Sequence, residues 1–264
     1  MRILVAESLS SFAGIVARIA RQWSSEGRGR VDPWFRGLED ASYELRPGVY
    51  RYKSADEDEL RSDFKRRAWS MLIETRPSND WEWYFLMQHY GVPTRLLDWT
   101  DGALLALYFA VRSSKSDRNV AVWALDPWWL NKNVLGKAEI MQTWEKDVQD
   151  YLPQVYDVRS RKRLPGLPIA IEPVHLWRRI SAQRSCFTIH GSDRDGLVNA
   201  AALGGKRHLV KVVIPRKRVP RVKRELATCG ISETTVFPDL EGLSRELTAN
   251  WAKKPIQPSA LVTR

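Results

Sequence analysis

The run from Ala103 to Val111 is apolar nearly all round, and a helix without a polar face belongs in the interior of a protein. Thr100-Asp101 ahead of it make a good helix start. A second helix is predicted from about Asn79 through Trp83 and Leu86 to Tyr90. Gly91, Val92 and Pro93 end it, because the residue before a proline is pushed out of helical geometry. The chain must bury the later helix completely. With 264 residues, 44% of them hydrophobic and 28% charged, it can do so within one large domain. Disorder does not fit such a composition.

The rest of the pattern mixes helices and strands. An amphipathic helix is predicted over residues 8–23, with Phe12, Ile15, Val16 and Ile19 at helical spacing. Trp34 to Gly37 reads as a short apolar strand ending on a glycine. Ser54-Ala55-Asp56-Glu57 is a capping-box pattern that opens a helix through about Leu72. The acids Asp56 to Glu59 then sit in its first turn, where the helix dipole favours them. Val120 to Leu125 reads as a strand closed by Asp126-Pro127. From 128 to 168 the pattern weakens, with a helical middle around Glu139 to Tyr151 and a basic patch from Arg159 to Arg163. This segment, carrying Trp128-Trp129, reads as a lid or an insertion.

Short strands are predicted at Ile169 to Ile171, Cys186 to His190, Leu209 to Ile214 and Thr235 to Phe237. Val219, Val222, Leu226 and Cys229 give a helix with Pro220 near its start and Gly230 after its end. Leu240, Leu243, Leu247 and Trp251 give a last helix, capped by Asp239. Residues 253–264 form a loose tail. Strands early and late, helices clustered in the N-terminal half and no regular βαβ alternation predict an α+β fold. Its sheet is expected to be mixed and largely antiparallel, within a single domain over residues 1–252. GxGxxG and GxxxxGK[ST] are both absent, so a nucleotide would be bound without a Rossmann or P-loop device.

The net charge of +11 is unevenly spread, with a basic tract from Lys206 to Arg224. Such a tract serves a polyanion, nucleic acid or a phosphate-bearing ligand, or else is a solvated helix face. Only Cys186 and Cys229 are present, which excludes a disulfide framework and suits a reducing compartment. No Cys/His spacing suggests a metal site. The apolar N-terminal stretch is broken by Glu7, Ser8, Ser10, Ser11 and Arg18, too short for a membrane span and unlike a secretion signal. A cytoplasmic protein without a membrane partner is expected.

Between the two central helices lies QHYGVPTRLLDWT, Gln88 to Thr100. It crowds polar groups beside apolar ones and reads as a loop. Charge next to a core helix either carries a desolvation cost or faces a cleft. Each polar residue therefore has two readings. Arg95 and Asp98 form an internal ion pair, or they bind and react with a ligand. His89 is a satisfied core histidine, or it orients a ligand hydroxyl.

These residues resemble the FRG-domain family. Trp34-Phe35-Arg36-Gly37 is similar to the motif that names it, and Gln88 to Thr100 to its strongest block. Ala106 to Ala110, Leu45-Arg46-Pro47 with Arg51, and Val122 to Pro127 continue the likeness. Arg179-Ile180 with Gln183, Phe187 to Ile189, and Phe237 to Leu240 with Gly242-Leu243 extend it. The resemblance spans Trp34 to Leu247, departing at Arg184-Ser185-Cys186, where the family tends to have a glycine. It implies a bacterial or phage-associated protein of conflict systems such as phage defence, a toxin with an antitoxin or defence-system partner.

By analogy of order the family implies an ADP-ribosyltransferase-like domain using NAD as co-substrate, without a metal, to transfer ADP-ribose or cleave NAD. The acceptor would be a nucleic acid or a protein. His89, Asp98, Gln183 and Asp239 are then the candidate catalytic groups. Arg36, Arg51, Tyr90, Thr94 and Arg95 are the candidate cofactor-binding ones, the arginines as forks for a diphosphate. The alternative is a non-catalytic module that binds a nucleotide or nucleic acid through the same arginine-rich cleft. Beside these roles, Arg36 reads as a strut tying strands together, Asp239 as a helix cap and Gln183 as the partner of a sheet edge.

Overall fold

The computed structural model describes residues 2–25, 31–52, 57–72, 76–112, 117–152, 164–172, 184–203 and 207–252. The strands among them are β1 (Arg2–Val5), β2 (Trp34–Leu38), β3 (Leu96–Thr100), β4 (Val120–Leu125), β5 (Met141–Gln142), β6 (Ile169–Glu172), β7 (Ser185–Ile189) and β8 (Leu209–Ile214). They form one sheet in the order β1-β8-β4-β2-β3-β7-β6-β5. The inner pairings are antiparallel, while the outermost two, β1 with β8 and β5 with β6, are parallel. The architecture is α+β with a mixed, largely antiparallel sheet.

The first helices are α1 (Leu9–Ser24), α2 (Glu57–Ala68), α3 (Asp80–His89), α4 (Ala103–Val111) and α5 (Pro127–Leu135). Then come α6 (Lys146–Gln149), α7 (Gly196–Ala202), α8 (Val219–Thr228), α9 (Glu233–Val236) and α10 (Leu240–Trp251). Helices are thus spread along the described chain, not clustered in its N-terminal half. Thr235 to Phe237, read as a strand, belongs instead to α9 and the residue that ends it, opened by a Ser232–Thr235 capping box. Three strands lay outside the expected pattern: β1, ahead of the first helix, β3, which turns the second half of QHYGVPTRLLDWT from loop into sheet, and β5, which stands where Glu139 to Tyr151 was read as helical and leaves only the short α6 there. The sequence Leu-Leu-Asp-Trp-Thr hides β3, because residues on both of its faces are buried and the period of two is lost.

Strand alternation sorts the side chains. Phe35, Val122, Ala124, Val210 and Val212 form one core with Phe12 and Ile15 of α1 and Leu107 of α4. Trp34, Leu38, Leu97, Trp99, Trp123 and Leu209 belong to another, with residues of α5 and α7. A third gathers Tyr84 and Phe85 of α3 with Leu96, Phe187 and Ile189. Helix α4 is a core helix, with Ala106, Leu107, Tyr108, Ala110 and Val111 buried. It approaches β2 so closely that a Cβ on Gly37 would lie 1.9 Å from the Ala106 carbonyl oxygen and 2.7 Å from the Ala110 nitrogen. The glycine is demanded by that contact.

Segment 128–168, read as a lid or insertion, sends several of its described residues into the core, while others, Trp144 among them, stay exposed. Trp129 and Leu130 are buried, β5 lies on the sheet edge, and Met141, Val148 and Tyr151 enter the third core. Its basic patch, Arg159 to Arg163, lies outside the described residues, as do Ser54 to Asp56 and the tail 253–264. No helix among the described residues is long and apolar enough to cross a membrane.

Candidate active site

Strand β2 pairs with β4 along its whole length, from Trp34 opposite Leu125 to Leu38 opposite Ala121. With β3 it shares one bridge, Phe35 opposite Thr100. Beyond that bridge the two strands part in the middle of the sheet. The gap opens into a cavity of about 390 Å³, lined by Phe35 to Glu39 on one side and Asp98 to Thr100 on the other. Tyr43, Arg51, Phe109 and Ser185 complete the wall.

Arg36 sits where β3 has left the ladder. Its Nη1 donates to the Asp98 carbonyl oxygen at 2.7 Å and lies 3.5 Å from the Asp98 carboxylate. Its Nε is buried without a hydrogen-bond partner among the described residues. Burial lowers the pKa of the guanidinium, Asp98 opposes that shift, and the nearby Arg51 adds to it. Asp98 is braced from behind. Gln88, in the last turn of α3, donates Nε2 to Asp98 Oδ2 at 2.7 Å, and Thr94 Oγ1 donates to Gln88 Oε1 at 2.5 Å. The threonine hydroxyl thereby sets which end of the amide faces the carboxylate. The Asp98 side chain is half exposed at 51%.

Arg95 has a different place. It is buried, and its partner is Glu57 of α2 at 2.6 Å, not Asp98. Its Nη1 donates to the His190 carbonyl oxygen at 2.9 Å and its Nη2 to the Tyr151 carbonyl oxygen. Tyr84 donates to Glu57 and accepts the Arg95 amide. The expected ion pair within the motif is therefore replaced by a knot joining α2, α3, Tyr151 and the end of β7. Under it lies His190, fully buried, with Nε2 3.1 Å from Thr188 Oγ1 and Nδ1 without a hydrogen-bond partner among the described residues. Burial, then Arg95 and Arg36, push its pKa down to about 3, so the imidazole is neutral.

Of the sequence candidates, Arg36, Arg51 and Asp98 line the cavity, and Thr94 reaches it through Gln88. Arg95 does not line it. His89, at the end of α3, meets Tyr90 edge-on at 5.0 Å, and Tyr90 is exposed; neither lines the cavity. Asp239 caps α10, accepting the Gly242 amide at 2.7 Å. Gln183 lies outside the described residues. Reading from sequence missed Gln88 as a brace, although it stands at the head of the motif. It also missed Glu39, Tyr43 and Ser185, which reach the cavity only through the path of the chain.

The basic tract is dispersed over β8, a short 3-10 turn and α8, and much of it is engaged. Lys211 donates to the Ala41 carbonyl oxygen and stands 5.1 Å from the Trp123 ring. Arg218 pairs with Glu7 at 3.1 Å, and Arg221 with Glu225 at 2.7 Å. Lys206 lies outside the described residues. No group of His, Cys, Asp and Glu among the described residues is arranged to hold a metal ion.

The family model of the FRG domain matches residues 32–119, from just before β2 to the residue ahead of β4. Both sequence motifs and every wall of the cavity except Ser185 fall within that stretch. The fainter similarities after residue 119 lie beyond it. No curated protein and no solved structure matches the chain.

Proposed function

The FRG-domain family model matches residues 32–119, and on that premise we propose that the cleft between β2 and β3 binds NAD and breaks its nicotinamide–ribose bond. The ADP-ribose unit passes to water or to an acceptor. One observation carries this reading: a single cavity presents the half-engaged guanidinium of Arg36, a second cation in Arg51 and the braced carboxylate of Asp98. Its volume of about 390 Å³ suits the nicotinamide riboside end of the ligand.

The chemistry follows from those groups. Arg36 and Arg51 offer a guanidinium fork to the diphosphate. The bond between ribose C1′ and the nicotinamide nitrogen breaks with both electrons going to nitrogen. Neutral nicotinamide leaves, and positive charge develops on the sugar. The Asp98 carboxylate, held still by Gln88, stabilises that charge without reorganising. Water or an acceptor hydroxyl then bonds to C1′ and gives its proton to Asp98 as general base. The resemblance alone supplies the setting of a toxin or antiphage effector, with a nucleic-acid or protein acceptor and an antitoxin or defence-system partner; a cytoplasmic place rests on the two cysteines.

The test is release of labelled nicotinamide from NAD by the purified protein, with and without DNA, RNA or cell lysate. Asp98→Asn should lower the rate by about a hundredfold or more while leaving the thermal melt in place. Binding of NAD without release in any mixture would replace the enzyme by a nucleotide-binding module. Neither binding nor release would sink both.

A further inference from the structure

We propose that the outer edge of β1 is a docking site for an extended acidic segment of a partner protein, which adds to the sheet as a further strand. This inference is independent of the cleft and its chemistry. β1 ends the strand order, and among the described residues nothing pairs with its far side. Ala6 donates its amide to the Val213 carbonyl oxygen at 2.9 Å, and Leu4 faces β8 by the two-residue period of a ladder. Ile3 and Val5 then turn their N–H and C=O groups outward. Both side chains are also 57% exposed. Edges of this kind are ordinarily blunted by lysine, proline or a bulge, and β1 has none of these.

The surface beside the edge selects the occupant. A groove of about 270 Å³ between β1 and α1 has Leu4, Ile15 and Ile19 as its floor and Arg2, Arg18 and Arg21 on its rim. No acidic residue lines it. Arg18 and Arg21 make no ion pair among the described residues, and Arg2 reaches only Gln22 Oε1, at 3.4 Å. Elsewhere the arginines are commonly paired, as Arg46, Arg61, Arg95, Arg112, Arg184 and Arg245 are. Only a polypeptide can use outward N–H and C=O groups together, and strand addition is an established mode of peptide recognition. Carboxylates on the face toward α1 complement the three arginines, and the alternate apolar side chains fall on the other face, beside the exposed Ile3 and Val5. A second copy of the chain fits poorly, because its own edge would bring the same arginines against these.

The probe is a labelled synthetic peptide of alternating valine and glutamate, about eight residues long, with alternating valine and lysine as control. Fluorescence anisotropy should show binding of the acidic peptide alone. Arg18→Glu with Arg21→Glu should weaken it about tenfold or more. Val5→Pro removes an outward amide and leaves the inward bonds to β8, so it should weaken binding equally. In the unaltered protein the Ile3 and Val5 amides should gain protection from hydrogen exchange when the peptide is added. That last measurement stands even if Val5→Pro fails to fold. Absence of binding overturns the proposal. So does binding that leaves both amides unprotected, or that anionic vesicles or single-stranded RNA compete away at equal charge, since the edge would then be a plain anion patch.

Discussion

Arg95 and Arg36 stand in the two most conspicuous motifs of the chain, and the fold puts them to different uses. Arg95 is buried with Glu57 and two backbone carbonyls, so each of its three nitrogens has a partner. Arg36 makes one short bond, to a carbonyl oxygen across a gap in the sheet, and keeps a buried Nε without a hydrogen-bond partner among the described residues. The same side chain closes a structure in one place and opens toward a cavity in the other. A guanidinium is scaffold when each of its three nitrogens is met inside the fold. It is available to a ligand when some are not.

The contrast can be broken by substitution. The largest effect is expected for Arg95→Ala, which leaves the Glu57 carboxylate, 14% exposed, without its cation. Removing one partner of a buried pair costs about 3–5 kcal/mol, read as a lowered denaturation midpoint. A midpoint close to that of the unaltered protein would show the knot to be dispensable. Next comes pH. His190 has a folded pKa near 3, against about 6.5 for an unfolded histidine. The unfolded chain therefore takes up the proton first, and stability present at neutral pH is lost as pH falls from about 6.5 toward 3, about tenfold in the folding equilibrium per pH unit. His190→Gln should flatten that part of the acid limb, and an unchanged slope would mean that the imidazole is not held neutral. The smallest stability effect is expected for Arg36→Ala, about 1.5–3 kcal/mol for one charged hydrogen bond, with NAD binding and turnover lost. A cost equal to that of Arg95→Ala would make Arg36 a strut as well.

Much of the scaffold was legible because its signals are local. Helix α4 announced itself by lacking a polar face, α3 by Asn79 at its start and Gly91 to Pro93 at its end, and α10 by Asp239. What escaped was what only the tertiary structure decides. Arg95 and Asp98 stand three residues apart in the sequence, yet Glu57 arrives from α2 to take the arginine. The four residues of β1 carry too short an alternation to be separated from the apolar stretch that follows. The site was half legible: the motifs named Arg36, Arg51 and Asp98, but the cavity exists because β2 and β3 share a single bridge. No residue type encodes that parting. The spacing of Arg95 and Asp98 suggested a partnership that strand β3 undoes, since its alternation turns Asp98 away from the neighbours of Leu97 and Trp99.

The pairing of β1 with β8 has a consequence for the order in which the molecule can be made. Arg2 finds its partner in Val210, and a ribosome adding about 5–20 residues per second needs roughly 10–40 s to supply it. Through that interval Phe12, Ile15 and Ile19 of α1 lack the valines of β8 that cover them in the finished core. The residues of β1 are made long before the strand that receives them, and a nascent chain of this topology carries an apolar helix without part of its cover until β8 has been made.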